Sequence, residues 1–364
     1  MRRSPAIIRR ILPIVPETLY RNRRAVQVEN ECLRLTVLAE GGHLAELLHK
    51  EAGVNPLWTP PWPSIEPSTY DRARHPEYGC NAESKLLAGI MGHNLCLDLF
   101  GVPSAEEEAV GITVHGEAPV APFRIAESAD ELITAADLPA AQLRFERRIR
   151  LEGPWVRISE TVENLSPLDR PVAWTEHVTI GPPFLEKGAT QIRTPGTRSK
   201  VIEGPFGDAA YMQPGAEFDW PFVPRKDGGA SDLRVCTNAA VSGGFTAHLM
   251  DPRQEKAFFF AWSPRTKVLF GYIWSRSDFP WLSLWEENGS RTQPPWNGGT
   301  LARGIEIGTS PMPETRRQMI DRGKLFGTPC YRWIPARTTV RLEYPALLTT
   351  AGAIPEALED LRVR

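Results

Sequence analysis

From residue 25 onward, apolar and polar side chains alternate with a period of two. AVQVEN and CLRLTVLAE show it first, and a Gly41-Gly42 turn then leads into HLAELLHK. QLRFERRIRL, WVRISETVENL, VAWTEHVTI, FTAHLMD, KAFFFAW, KVLFGYIW, WLSLWEE, ARGIEIG and TTVRLEY continue the pattern, with connections rich in Gly, Pro, Asn or Asp. QLRFERRIRL, Glu152-Gly153-Pro154 and WVRISETVENL read together as a hairpin. Many short strands at this spacing predict an all-β architecture of large antiparallel sheets, a sandwich or barrel. Helix is expected only in short pieces: within SKLLAGIMGHNLCLDLF, over PETRRQMIDRG with its leading proline and closing glycine, and in the terminal PEALEDLRVR.

One stretch breaks the alternation. Residues 54–82 carry five prolines between Pro56 and Pro67, with Trp58 and Trp62 among them. Such a loop suits either a rigid wall or lid of a pocket or a plain structural wrap. No internal repeat and no composition break marks a second domain. The expected division is an N-terminal extension over 1–24, one sandwich domain over 25–350, and a tail or short helix over 351–364.

Composition narrows the function. Lys plus Arg number 42 against 44 Asp plus Glu, a net charge of -2, so the electrostatic footprint of a nucleic-acid binder is missing. No apolar run is long enough to span a bilayer, which predicts a soluble protein without a membrane partner. Arg9 and Arg10 interrupt the basic N-terminus, which lacks the apolar core of a signal peptide. Cys32, Cys80, Cys96, Cys236 and Cys330 are odd in number and widely spaced, unlike a disulfide framework or a thiolate zinc site. A reducing cytoplasm is the expected location. The chain holds 11 Trp, some expected in the core and some lining a cavity.

Candidate chemistry sits on three short segments. On VAWTEHVTI, Trp174, Glu176 and Val178 share one face, and Thr175, His177 and Thr179 share the other. That Thr-His-Thr face should look into a cavity or into water, with His177 either catalytic or structural. His115 ends a short apolar strand before Gly116, with the same two readings. In LARGIEIGTSP, Glu306 shares its face with Ala302, Gly304 and Gly308, leaving room for a ligand at its oxygens; the alternative is an edge acid beside Arg303. His115 with Glu117, and His177 with Glu176, leave a metal-dependent reading open. No G-x-S-x-G, P-loop, dinucleotide or HEXXH motif occurs.

Taken in order, LRLTVLAEGGHLAEL, Val114-His115-Gly116, ENLSPLDRPVAWTEHVTIGPPF and RGIEIGTSP resemble the aldose 1-epimerase (galactose mutarotase-like) superfamily. The resemblance covers about residues 25 to 345. It implies a galactose mutarotase-like β-supersandwich with few short helices and one cleft for a monosaccharide or modified sugar. It also implies anomer interconversion with Glu306 as base, His177 as acid and His115 bound to the sugar, without a metal or organic cofactor. Glu176 stands where the family has Asn before the second histidine, and Glu117 stands where it has a second Gly. Arg72 and Arg74 are the candidates for its sugar-binding arginine, and Asp219 for its aspartate. Trp58 and Trp62 would border the sugar, with Glu176 beside it. The alternatives are a non-catalytic sugar-binding protein and a metal-dependent isomerase on the same fold.

Overall fold

The alternating segments form strands that assemble into two large antiparallel sheets. The computed structural model describes residues 17–363 apart from Ala129, Pro205 and Asp208. The N-terminal residues read above for a signal peptide, 1–16, lie outside the described residues. The larger sheet has twelve strands and the smaller eight among the described residues. The centre of the larger sheet runs in the order His93–Asp98, Arg170–Ile180, Leu301–Gly308, Trp281–Asn288 and Ser242–Met250. The smaller sheet centres on Val268–Ser275, Thr339–Thr350, Trp155–Asn164 and Leu143–Glu152. The last two form the expected hairpin, with Glu152 opposite Trp155.

The central strands of the larger sheet are buried on both faces. Trp174, Val178, Ile180, Ile305 and Ile307 point toward the smaller sheet and join the main apolar core. The opposite face is covered by loops and forms a second apolar layer that includes Phe100, Phe245, Trp285 and Trp296. This second layer holds the candidate site.

Three expectations change. The sheet begins at Thr18–Tyr20, which pairs with Arg23–Glu29, so the edge precedes residue 25. Alternation is too short there to read. SKLLAGIMGHNLCLDLF divides into a helix, Ser84–Gly89, and the central strand His93–Asp98. That strand is buried at every residue, so it shows no polar period. PEALEDLRVR holds a single 3₁₀ turn, Leu358–Asp360, whose neighbours Leu361 and Val363 pack under the smaller sheet. The helix over Arg316–Arg322 forms as expected, with a capping box at Thr315 and Gly323 at its end.

Candidate functional site

The period-two geometry of Arg170–Ile180 puts His177 on the outer face of the larger sheet. Its cross-strand partner is Glu306, and both side chains point the same way. His177 Nε2 lies 3.1 Å from Glu306 Oε1, and His177 Nδ1 lies 3.1 Å from Thr179 Oγ1. Glu306 is buried, and its Oε2 has no hydrogen-bond partner among the described residues. One carboxylate oxygen thus holds the histidine and the other remains available.

His115 arrives from a different part of the chain, with its ring centre 4.9 Å from that of His177. A turn closed by Gly116 N donating to Thr113 O at 3.0 Å delivers it, and its φ of 71° is left-handed. Gly116 is required in this turn: its φ is +91°, and a Cβ there would come within 2.1 Å of Leu97 O. His115 Nδ1 donates to Phe100 O at 2.7 Å, which leaves Nε2 as an acceptor. Burial and the adjacent His177 push His115 down to about 3, so it is neutral at pH 7. The Phe100 loop is itself fixed, because Asp98 accepts from Arg170 Nη2 at 2.9 Å and Arg316 Nη2 at 2.8 Å.

These three residues line one cavity of about 330 Å³. That lies at the low end of the roughly 300–1,000 Å³ of small-molecule sites, enough for one compact ligand. A larger hollow of about 780 Å³ beside Lys267 and the C-terminal segment contains none of the three. Chemistry, rather than size, selects the smaller one.

The walls were not legible beforehand. Trp285, Trp296, Phe100, Phe206 and Phe245 supply aromatic surface, and Glu83 and Arg291 add charge. The Arg291 guanidinium sits 4.7 Å from the Trp296 ring centre, 5.5 Å from Trp285 and 5.9 Å from Phe206. Its Nη1 lies 3.5 Å from Glu83 Oε2 and its Nε 3.7 Å from Glu287 Oε2. Trp285 is buried, and its Nε1 has no hydrogen-bond partner among the described residues. The only available signal was the Trp-Pro-Gly composition of residues 285–299, which also suits plain core.

Other expected residues lie elsewhere. Glu176 points to the opposite face of the sheet, as alternation requires. There it accepts from Arg147 Nη2 at 2.8 Å and Trp174 Nε1 at 3.1 Å, and pairs with His93 Nε2 at 2.7 Å. Asp219 is exposed on the edge strand Glu217–Asp219. Arg74 is exposed and pairs with Asp71, and Arg72 is exposed and pairs with Glu108. Trp58 and Trp62 stand behind the wall rather than on it: Trp58 stacks on Trp296 at 6.1 Å, and Trp62 meets Trp296 edge-on at 4.9 Å. The proline-rich loop therefore backs the cavity. It is held by Arg23, which is fully buried and donates to Glu66 Oε2 at 2.9 Å and Gly89 O at 2.7 Å. Glu117 accepts from Ala141 N at 3.0 Å, away from His115 and His177. Among the described residues, no group of three or more His, Cys, Asp or Glu side chains is placed to hold a metal. No helix among them is long and apolar enough to cross a membrane.

No protein-family model matches the sequence, and no curated protein matches it. Solved structures do match. A candidate aldose 1-epimerase from Klebsiella pneumoniae superposes with a TM-score of 0.65 at 15% identity, over 91% of this chain and 80% of that one. A galactose mutarotase-like protein from Clostridium acetobutylicum gives 0.58 at 12%, over 92% and 98%. A galactose mutarotase related enzyme from Lactobacillus acidophilus gives 0.58 at 10%, over 90% and 97%. The chain has the galactose mutarotase-like fold.

Proposed function

We propose that the protein interconverts the anomers of an aldose by general acid/base ring opening, with Glu306 as base and His177 as acid. One observation supports this above the rest. His177 Nε2 lies 3.1 Å from Glu306 Oε1, while Oε2 of the same buried carboxylate is unpartnered at a cavity. The similarity to proteins described as aldose 1-epimerases and mutarotases points to the same chemistry.

In this reading Oε2 accepts the proton of the anomeric hydroxyl as the His177 imidazolium gives its Nε2 proton to the ring oxygen. The bond between the anomeric carbon and the ring oxygen breaks, and the anomeric C–O becomes a carbonyl. Rotation about the adjacent carbon–carbon bond presents the other face, and both protons return as the ring closes. For His177 to end neutral it must keep a proton on Nδ1, in a hydrogen bond that Thr179 Oγ1 is placed to accept. His115, whose free Nε2 is an acceptor, takes a hydrogen bond from a hydroxyl near the reacting centre.

Glu306→Gln keeps size but removes the base, and His177→Asn removes the acid. Each should lower the anomerisation rate about 10²–10⁴-fold with sugar binding retained. Wild-type rates in both variants would refute the roles. A binding protein on the same fold is the second reading, because His177 and Glu306 already satisfy one another across their hydrogen bond. Sugar binding by wild type without anomerisation above background would establish that reading instead.

A further inference from the structure

Among the described residues, the cavity offers few polar groups for a molecule as hydroxylated as a hexose. Glu306 and His177 are committed to the anomeric centre in the reading above. Arg291 is enclosed by three aromatic rings and faces two carboxylates, Glu83 and Glu287. What remains to read hydroxyls is His115 Nε2, the unpartnered Trp285 Nε1, and the Glu83–Arg291 pair. The rest of the described lining is apolar. Leu86, Leu87, Ile90, Val114 and Ile202 add aliphatic surface to the aromatic walls, and Val102, also in the lining, is 48% exposed.

Hydroxyls pressed against such walls lose their water and find no partner. A methyl or methylene in their place gains apolar contact instead. Anionic sugars fare no better, because the one guanidinium among the described lining residues already faces two carboxylates and a third, Glu306, lines the same cavity.

We propose that the site selects an uncharged aldose with an apolar edge, a deoxy or O-methyl sugar, over the parent hexose and over sugar phosphates or uronic acids. The proposal rests on the sugar-anomer reading of the same cavity, and it is carried by the lining rather than by His177 and Glu306. An apolar pocket distinguishes ligands differing by one hydroxyl by about 10- to 100-fold.

The test uses matched pairs on the full-length protein: D-galactose with 6-deoxy-D-galactose, and D-glucose with 6-deoxy-D-glucose and 3-O-methyl-D-glucose. Glucose 6-phosphate and glucuronate complete the set. Binding is followed by tryptophan fluorescence and anomer exchange by NMR. Tighter binding of the deoxy or O-methyl member by about tenfold or more, with the two acids weakest, is the expected result. Equal or better binding of the parent hexoses or of either acid would overturn the substrate class, even if anomers exchange rapidly. Preferential binding of the deoxy sugars without exchange would uphold the class and remove the epimerase reading. If none of these sugars binds, both fall.

Discussion

Gly304 lies two residues before Glu306 on the same strand face, and a methyl placed on it would come within 2.5 Å of Glu306 Oε1. The glycine therefore makes room for the carboxylate itself, not only for a ligand approaching it. Gly304→Ala should fold, because the clashing atom is the tip of a flexible side chain, but it should push Oε1 away from His177. Misplacing a reacting group by about an ångström can cost about 10²-fold in rate, so a loss of that order is expected in an anomerisation assay with unfolding little changed. An unchanged rate would mean that Glu306 does not need this geometry. His177, His115 and Glu306 could be singled out from sequence because each sits in a short segment where alternation or a glycine exposes its surroundings. Trp285, Trp296 and Arg291 could not, because a tryptophan lining a cavity and one filling a core look alike until the chain is folded. Trp58 and Trp62 fail for the same reason: they touch the wall from behind.

At the scale of the element, the strand Arg170–Ile180 has two working faces. Its outer face presents His177. Its inner face carries Glu176 into a fully buried cluster in which Arg147 Nε donates to Glu160 Oε1 at 2.5 Å and Tyr344 donates to the same oxygen at 2.8 Å. Arg147→Met would leave these carboxylates without their cation, a loss of about 3–5 kcal/mol that denaturant melting should register. An unchanged midpoint would contradict the role given to Arg147. Burial, then Glu176, pushes Glu160 up from 4.5 to about 8, so its protonated form stabilises the fold fully below pH 4.5 and less as pH rises through 8. Burial pushes His43 and His248 down from 6.5 to about 3, so their stabilisation is present above pH 6.5 and is lost as pH falls toward 3. Each proton is worth about 1.4 kcal/mol per pH unit. Together with His115, pushed down to about 3 in the same way, these histidines outweigh one carboxyl below pH 6.5 and the carboxyl acts alone above it, so these groups place maximal stability near that pH. Glu160→Gln should flatten the decline above it, and a decline as steep as wild type would contradict the assignment. Arg147 and Glu160 fall on the apolar half of the alternating hairpin, between Phe145 and Ile149 and between Ile158 and Val162, so alternation marks their burial but not the partners they find there. The larger sheet covers the face on which they lie.

For the whole molecule, alternation foretold the two sheets but not which strand belongs to which. The central strand His93–Asp98 was missed because burial on both faces removes its polar period. The site depends on that assembly: His115, His177 and Glu306 are separated by 62 and 129 residues (177 − 115 and 306 − 177). They meet because neighbouring strands and a loop of the larger sheet bring them to one face. Asp219 and Arg74 fit the order of the resemblance but not its geometry, since an edge strand and an exposed turn carry them away from the cavity. By the proposed chemistry, this face opens sugar rings. NMR magnetisation exchange between the α- and β-anomer signals, recorded on hexoses and their deoxy and O-methyl analogues with and without protein, tests it most directly. Exchange above the uncatalysed rate is expected with wild type, returning to background with Glu306→Gln while the sugar still binds. Wild-type exchange no faster than background on every sugar that binds, or undiminished exchange in Glu306→Gln, would contradict it.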